Sequence, residues 1–271
     1  MTPLFDLTDR VAVITGGSGV LCGAMAQGMA ERGCRIGVLG RTAAKVHARV
    51  AAIEAAGGTA LPLVADVLNR AQLEAARAAV WEAWGRIDVL INGAGGNRKD
   101  ATIGPDENFF DHSHDGLQTA FTLNFDGTVL PTMIFGKVMA NAGRGSIINI
   151  SSMAADRAIT RIAGYGAAKA AVDNFTRWLA VECAQKFGDG LRVNAIAPGF
   201  FVTEQNRTLL THEDGRYTAR AQTIVDNTPA GRFGTAEELI GTAVWLASDA
   251  SRFVTGTVVA VDGGFSAWSG V

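Results

Sequence analysis

Seven short apolar segments alternate with helical segments along the chain, and this alternation constrains the fold more than any other feature. Most of the apolar segments lack a polar face, which is typical of parallel strands covered on both sides. We therefore predict an α/β fold, a Rossmann-type doubly wound sheet of seven mainly parallel strands flanked by helices, in a single domain over residues 1–271. The predicted strands cover 11–15, 35–40, 60–66, 87–92, 146–151, 192–198 and 258–263, and the predicted helices 22–32, 43–56, 70–84, 116–141, 163–187 and 236–248.

The composition excludes several classes of partner. The 271 residues carry a formal net charge of −2, so nothing suggests nucleic acid or a strongly charged protein partner. The three cysteines lack the spacing of a zinc site or a disulfide framework, and no apolar run approaches the roughly 18–20 residues of a membrane span. The N-terminal segment lacks the features of a signal peptide. We expect a soluble cytoplasmic protein that does not associate with membranes.

Residues 200–232 interrupt the alternation of strands and helices. This segment is polar and lies between the sixth predicted strand and the last predicted helix. Ligands of doubly wound sheets bind at the carboxyl ends of the strands, and the loops at that edge commonly carry function. We predict that the segment is a lid over the substrate.

A glycine-rich turn, TGGSGVLCG, follows the first strand and opens the first helix. Glycines let backbone N–H groups approach a phosphate closely, and the start of a helix favours an anion. The turn therefore predicts a site for the phosphates of a dinucleotide.

The end of the second strand bears on the choice between NAD and NADP. An acidic residue there would bind the ribose hydroxyls of NAD, whereas an arginine accommodates the 2′-phosphate of NADP. The segment GVLGRT holds no acid and ends near Arg41, so we expect NADP in preference to NAD. Alternatively, Arg41 is a solvated residue at the start of the next helix. Asp66 could accept a hydrogen bond from the adenine amino group or cap the helix that follows it.

Tyr165 and Lys169 lie four residues apart in the helix-forming segment GYGAAKAAV. Residues at this spacing share one face of a helix. A neighbouring ammonium favours phenolate, lowers the tyrosine pKa from about 10, and so produces a general acid and base near neutral pH. The spacing alone equally fits an exposed tyrosine beside a solvated lysine.

Eight segments occur in the order and at the spacings of one family: TGGSGVLCG, ADV, INGAGG, LNFDGT, INISS, YGAAK, NAIAPGFFVT and VTGTVVAVDGG. Through them the chain resembles the short-chain dehydrogenase/reductase family over essentially its full length. Four segments are similar to one branch of that family in particular, which interconverts D-fructuronate and D-mannonate: TGGSGVL, NGAGGN, APGFFVTEQNR and DGGFSAWSGV.

The resemblance implies reversible hydride transfer between a nicotinamide and a carbonyl carbon. Tyr165 and Lys169 occupy the family's Tyr-x-x-x-Lys motif, with Tyr165 as the proton donor and Lys169 lowering its pKa. Ser152, in preference to Ser151, would polarise the carbonyl oxygen. Asn124 would place a water that links Lys169 to solvent. The alternatives are a helix cap for Ser152 and a purely backbone-bonded role for Asn124.

The resemblance also implies contacts with the dinucleotide. They fall in the first turn, after the second and third strands, after the fourth strand and after the sixth. In that order they are Gly16, Ser18, Gly19, Val20 and Leu21; Arg41, Asp66 and Val67; Asn92, Gly93, Ala94 and Gly95; and Pro198, Gly199, Phe201 and Thr203, with Tyr165 and Lys169 at the nicotinamide ribose.

The first turn departs from the family's Thr-Gly-x-x-x-Gly-x-Gly pattern. Val20 occupies the position of the second glycine of this pattern, and Cys22 occupies the position of the third. A thiol can fit where the helix meets the sheet, because a free cysteine behaves as a small hydrophobic side chain. If it does not fit, the affinity for the cofactor should suffer.

A sugar-acid substrate needs a cation for its carboxylate and polar donors for its hydroxyls. Candidate side chains follow the fourth strand, separate Ser152 from Tyr165, and open the lid; they are Asn97, Arg98, Arg157, Arg161, Glu204, Gln205, Asn206 and Arg207. This polar set disfavours steroid or acyl-chain substrates. His112 and His114 lack acidic partners at ligand spacing, so we expect a surface loop there and no metal site.

Other functions and the assembly stay open at this point. The alternatives are another keto-sugar, polyol or gluconate dehydrogenase, a 3-oxoacyl reductase of the same family, and a nucleotide sensor without turnover. A sensor has no need of a proton donor such as Tyr165.

By resemblance we expect a homotetramer formed through the helices 116–141 and 163–187, with Trp178, Phe265 and Trp268 available for contacts between subunits.

Overall fold

The computed structural model describes residues 4–203 and 206–270 and contains a seven-stranded parallel sheet with helices on both sides. The strands, β1 to β7, are Val11–Thr15, Arg35–Gly40, Thr59–Val64, Val89–Asn92, Gly145–Ile150, Leu191–Pro198 and Val258–Val261. Their order across the sheet is β3-β2-β1-β4-β5-β6-β7, and every neighbouring pair is parallel. The predicted fold class is confirmed.

Eight α-helices connect and cover these strands. They are α1 Val20–Ala30, α2 Ala43–Ala55, α3 Arg70–Trp84, α4 His114–Asn141, α5 Ala163–Phe187, α6 Arg207–Leu210, α7 Ala219–Asp226 and α8 Ile240–Ala247. The bounds of α3 have local causes. The Asn69 side chain accepts a hydrogen bond from the Gln72 N–H at the start of the helix, and Gly85 ends it in the left-handed conformation with φ of 66°.

The core has two layers because strand side chains alternate between the two faces of the sheet. In β1, Ala12 and Ile14 pack with α1, α2 and α8, whereas Val11 and Val13 pack with α3, α4 and α5. Both layers are apolar, which explains why the central strands lack a polar face in the sequence. The two edge strands, β3 and β7, are the exceptions, since most of their residues are partly or fully exposed.

The strand order reverses direction at β1. The chain moves from β1 through β2 to β3 on one side, and then returns to β4 on the other side of β1. Thr15 and Asn92 are paired across the carboxyl ends of β1 and β4. A crevice forms at such a reversal because the connections leave in opposite directions, and it is where ligands of this architecture bind.

The structure differs from the sequence-based prediction in two places. The predicted helix 236–248 is divided into a 3₁₀ turn, Ala236–Leu239, and the helix α8. The segment 200–232, predicted as a lid over the substrate with no helix or strand assigned to it, contains the two short helices α6 and α7. It has its own small apolar cluster of Leu210, Ala221, Ile224 and Phe233, which gives these helices something to pack against.

Two further features bear on the classes of function. None of the helices among residues 4–203 and 206–270 is long and apolar enough to cross a membrane. Within the same ranges, no group of three or more His, Cys, Asp or Glu side chains is placed to hold a metal ion. All three cysteines are free thiols and are buried.

The packing of α1 against α8 gives a direct test of the fold. A Cβ added at Gly28 would lie 2.4 Å from Ile240 Cγ2, whereas Gly241 has nothing within 4 Å. We expect Gly28→Ala to lower the free energy of unfolding by about 1–3 kcal/mol through overpacking. Gly241→Ala should instead raise it by up to about 1 kcal/mol, because alanine is the better helix former. Urea unfolding of both variants measures this contrast, and two changes of the same sign would contradict the packing.

Candidate active site

The glycine-rich turn has the backbone geometry of a phosphate site. Gly16 has φ of 66°, and a Cβ there would lie 2.7 Å from the Gly93 carbonyl oxygen. The Gly19 N–H donates to the Gly16 carbonyl at 2.9 Å, and Gly19 begins α1 with no side-chain cap among the described residues. The first N–H groups of α1 are therefore available to an anion, which fits the pyrophosphate of a dinucleotide.

The wall of the crevice is the segment that follows β4, and Thr15 attaches it to β1. Thr15 Oγ1 accepts hydrogen bonds from the Gly93 N–H at 3.0 Å and the Ala94 N–H at 3.1 Å. Asn92 Nδ2 donates to Thr132 Oγ1 and to Asn149 Oδ1. Thr15 was not singled out from the sequence, although it is the last residue of β1 and directly precedes the glycine turn.

Cys22 fits where α1 meets the sheet. Its side chain is 5% exposed, and a Cβ added at Gly93 would lie within 2.0 Å of Cys22 Sγ. The sulfur therefore occupies the space above Gly93 that a larger side chain at either position would need. Burial raises the pKa of Cys22 to about 12, and this thiol is protonated and unreactive at neutral pH.

The region expected to hold the adenosine brings Arg41 and Asp66 together. Arg41 Nη1 lies 3.8 Å from Asp66 Oδ2, and both side chains are accessible to solvent. Asp66 Oδ1 accepts from the Leu68 N–H, so the carboxylate holds the turn after β3. The cap of α3 is Asn69, which removes the alternative of Asp66 as the N-cap. Ser18 Oγ lies beside Gly40, because a Cβ added at Gly40 would be 2.8 Å from that oxygen.

Most of the remaining predicted cofactor positions are less exposed to solvent than Arg41 and Asp66. Val67 is 3% exposed and packs against Gly127 on α4. Gly199 follows β6, and a Cβ there would lie 2.5 Å from Asp262 Cα, so only glycine fits. Phe201 is buried against Gly234. Four more positions lie at the same carboxyl edge of the sheet: Val20 is exposed, Leu21 and Thr203 are partly buried, and Pro198 is buried.

A close approach of α4 and α5 sets the positions of the predicted catalytic residues. A Cβ at Gly164 would lie 2.9 Å from the Leu117 carbonyl oxygen, so the glycine lets the starts of the two helices meet. Asn124 on α4 is fully buried. Its Nδ2 donates to the Gly96 and Ala120 carbonyls, and its Oδ1 accepts from the Gly96 N–H. Every polar atom of the Asn124 side chain is thus bonded to backbone, as in the alternative stated above.

Ser152, Tyr165 and Lys169 converge at the end of β5. Lys169 Nζ donates to the Ile150 carbonyl at 2.7 Å and lies 5.6 Å from the centre of the Tyr165 ring. Ser152 is partly exposed and its Oγ accepts from the Ala154 N–H, whereas Ser151 is buried at 1% exposure. Ser152 is therefore the serine that can reach a ligand, and it also caps the 3₁₀ turn that follows.

The electrostatics of this cluster differ from the expectation for Tyr165. Burial raises the pKa of Tyr165, and the hydrogen bond with Ser152 opposes that rise only in part. The expected lowering by Lys169 is not present, because Nζ is directed to the Ile150 carbonyl. Burial lowers the pKa of Lys169 to about 8, against the opposing influence of Cys22 and Asp173. Tyr165 therefore carries its proton at neutral pH, as a proton donor must.

Most of the substrate candidates are engaged within the chain. Arg98 forms a two-point ion pair with Asp100. Arg157 donates to the Ser266 carbonyl and faces Asp156 at 3.6 Å. Three further side chains have these surroundings: Asn97 donates to Thr102 Oγ1, Asn206 bonds the Thr203 N–H and the Phe201 carbonyl, and Arg207 is exposed on α6. Gln205 and Glu204 lie outside the described residues. The structure counts against Arg98, Arg157 and Asn206 as direct substrate contacts, because their polar atoms already hold loops in place.

A phosphate turn at the reversal of a parallel sheet, with a Tyr–Lys pair beside it, defines a nicotinamide-dependent oxidoreductase. Residues 19–266 match the family model described as enoyl-(acyl carrier protein) reductase. The chain belongs to the short-chain dehydrogenase/reductase family, and it is an NAD(P)-dependent enzyme that acts on CH–OH groups.

Similar proteins cover the whole chain. The uncharacterized oxidoreductase UxuB of Bacillus subtilis (strain 168) is 49% identical over 281 aligned residues, covering 100% of both chains. A crystal structure from Haemophilus influenzae, provisionally named a D-mannonate oxidoreductase and with bound NAD, is 41% identical and has a TM-score of 0.90 over 98% of both chains. A gluconate 5-dehydrogenase from Burkholderia cenocepacia in complex with NADP and tartrate is 33% identical, with a TM-score of 0.86 over 98% of both chains. The predicted family and the prediction of NAD or NADP are confirmed.

The buried Lys169 should reduce the stability of the cofactor-free protein. Because its folded pKa of about 8 is below the ordinary lysine value of 10.5, the unfolded chain binds more protons between those pH values. Stability therefore rises with pH through that window, and the full cost, up to about 3 kcal/mol, is present below it. We expect Lys169→Met to raise the free energy of unfolding at pH 7 by about 1–3 kcal/mol, with the difference shrinking toward pH 10.5.

Urea unfolding at pH 7 and at pH 10 measures this difference. The control is Lys137→Met, which removes an exposed lysine from α4 and should change the stability by less than about 0.5 kcal/mol. A Lys169→Met variant that is less stable than wild type at pH 7, or a difference independent of pH, would contradict the interpretation.

Proposed function

We propose that Tyr165, Ser152, Lys169 and Asn124 catalyse the reduction of a keto group in a sugar acid, with D-fructuronate as the substrate and D-mannonate as the product. The observation that carries this proposal is the convergence of a protonated Tyr165, Ser152 and a buried Lys169 at the end of β5. When bound, the nicotinamide cofactor supplies the hydride in reduction and accepts it in oxidation.

The roles of the side chains follow from their positions. The Tyr165 hydroxyl donates its proton to the carbonyl oxygen of the substrate, because burial keeps that proton in place at neutral pH. The Ser152 hydroxyl donates a hydrogen bond to the same oxygen and stabilises the negative charge that develops on it. Lys169 is held by the Ile150 carbonyl and lies close enough to Tyr165 to stabilise the tyrosinate left by proton transfer, until a proton returns from solvent, and to hold a ribose hydroxyl.

The cofactor would lie along the carboxyl edge of the sheet. Gly16 and Gly19 shape the turn so that the first N–H groups of α1 face its phosphates, and the wall from Asn92 to Gly95 would stand beside the adenosine ribose. Arg41 is solvent-accessible and its ion pair with Asp66 is long, at 3.8 Å, so its side chain can turn toward a 2′-phosphate. This supports NADP over NAD as the preferred cofactor.

The choice of a sugar acid rests on the relatives and on the polarity of the site. Relatives with 33–35% identity are named gluconate 5-dehydrogenase and 2-dehydro-3-deoxy-D-gluconate 5-dehydrogenase, and the Haemophilus protein carries the D-mannonate name. A second candidate is the oxidation of a neutral polyol, because other relatives are a D-threitol dehydrogenase and a galactitol 2-dehydrogenase. The lid over residues 200–232 would close over either substrate.

An exposed apolar face supports a homotetramer. Met133 on α4 is 58% exposed, and Trp178 and Val181 on α5 are 58% and 57% exposed. Exposed apolar patches of this kind mark association surfaces. In the tail, Phe265 packs edge-on against Phe200 of its own chain at 5.2 Å, whereas Trp268 is 39% exposed and remains available for contacts between subunits.

The first experiment is to follow the absorbance of the reduced nicotinamide with purified protein and D-fructuronate, using NADPH and NADH in parallel. We expect faster oxidation of NADPH. Arg41→Ser should lower kcat/KM with NADPH by about tenfold or more while leaving the value with NADH nearly unchanged, because only NADPH carries the 2′-phosphate. Oxidation that occurs only with neutral keto sugars would replace the sugar acid by the polyol alternative.

The proposed proton donor is tested by Tyr165→Phe. We expect kcat to fall by about 10²-fold or more, since proton transfer by a positioned side chain contributes that much, while cofactor binding is retained. The chain has only two tyrosines, so Tyr217→Phe is the matched control. Tyr217 packs against Phe233 at 5.2 Å and should tolerate the change. Undiminished activity of Tyr165→Phe would overturn the mechanism.

A further inference from the structure

A sugar acid carries a carboxylate, and the roles proposed for the catalytic cluster of Ser152, Tyr165 and Lys169 do not include binding it. The arginines expected from the sequence around the substrate mostly have partners already. Arg98 is neutralised by Asp100, and Arg157 holds the Ser266 carbonyl beside Asp156. Arg161 has no such partner, and the structure adds Arg220 on α7 beside it.

Arg161 lies between the predicted serine and tyrosine, directly before α5. It is a non-glycine residue with φ of 76°, a conformation that costs energy and is retained where the surroundings require it. Its carbonyl accepts from the Ile103 N–H at 3.0 Å, which joins it to the segment beyond the crevice wall. The strained backbone fixes the point from which the partly buried Arg161 side chain extends.

Arg220 reaches the same place from the segment 200–232. Its Nη1 donates to Thr160 Oγ1 at 3.1 Å, and Thr160 directly precedes Arg161. Burial lowers the pKa of Arg220, and the positive charge of Arg161 lowers it further. The Arg220 guanidinium therefore lies beside residues 160–161, across the gap between α7 and the loop that leads into α5.

Two like charges in a partly buried site are unfavourable unless an anion compensates them. No salt bridge joins Arg161 or Arg220 to an acidic side chain anywhere in residues 4–203 and 206–270. By contrast, Arg216 in the same segment is paired with Asp214 at 2.7 Å. The Arg161–Arg220 pair thus has the charge and the donor groups for one carboxylate but no acid supplied by the described chain.

We propose that Arg161 and Arg220 bind the carboxylate of the substrate and so select sugar acids over neutral sugars. The keto group then lies at Tyr165, in the first turn of α5 and four residues after Arg161, while the carboxylate lies at the far end of the carbon chain. Because Arg220 belongs to α7, a bound acid also holds α7 against the catalytic loop. The inference rests on the proposed function, since it names the substrate class of the same site.

The test compares acids with neutral molecules that differ from them only at the carboxylate. The variants are Arg161→Gln, Arg220→Gln and the conservative Arg220→Lys, and the matched control is Arg216→Gln. Kinetics use D-fructuronate against D-fructose, and 5-keto-D-gluconate against L-sorbose. Titration calorimetry uses D-mannonate against D-mannitol on the protein loaded with NADPH, which cannot accept a hydride from either of them. The dissociation constant for NADP serves as the check that each variant is folded.

We expect each glutamine variant to raise KM for the keto acids and the dissociation constant of D-mannonate by about 10- to 100-fold, with smaller effects on the neutral molecules. Arg220→Lys should retain part of the affinity, and Arg216→Gln should stay within about twofold of wild type. If Arg220→Gln does not fold, Arg161→Gln and Arg220→Lys carry the test.

The outcomes separate this inference from the proposed function. Wild-type turnover of D-fructuronate with unchanged KM in the arginine variants would overturn the inference and leave the function standing. Turnover of 5-keto-D-gluconate alone, with KM raised in the variants, would support the inference and replace the substrate. Binding of neutral sugars only, insensitive to both arginines, would overturn both.

Discussion

The hydrogen bonds that Thr15 Oγ1 accepts from the Gly93 and Ala94 N–H groups determine where the rest of the site can be built. They join the end of β1 to the wall that follows β4, at the place where the sheet reverses direction. Gly16 and Gly93 lie against this connection without room for a side chain, and Cys22 fills the remaining space from α1. The crevice is therefore narrow and rigid at its base, and the variation is left to the segments above it.

Part of the catalytic cluster is easily formed from residues close together on α5, but burying Lys169 lowers the free energy of unfolding. Tyr165 and Lys169 are one turn apart on α5, and Gly164 lets that helix approach α4 closely enough to bring Asn124 alongside. Lys169 must nevertheless be buried with a pKa of about 8, which opposes folding at neutral pH. Such a cost is typical of sites where function and stability conflict. The Ile150 carbonyl offsets it in part by accepting a hydrogen bond from Nζ.

Substrate selection depends on which charges are left without a partner. Arg98 and Arg157 look like substrate residues in the sequence, but Asp100 and the tail around Ser266 occupy them. The pair Arg161 and Arg220 is different, because its members approach each other and no described acid neutralises them. In the proposed arrangement, Arg220 on α7 and Arg161 in the loop before α5 bind the carboxylate together, while the crevice below them binds the cofactor.

The sequence by itself determined the sheet, the family and the catalytic neighbourhood. The bounds of β1, β2, α3 and α5 match the predicted ones because their apolar patterns and caps are local. Residues such as Tyr165 and Lys169 could be found because four residues on a helix always share a face. The helices α6 and α7 could not be found, since they are short and stable only against their own cluster. The tertiary structure alone decided which arginines are paired, whether Lys169 is buried, and that Arg220 meets Arg161, because ion pairs and burial depend on residues far apart in the chain.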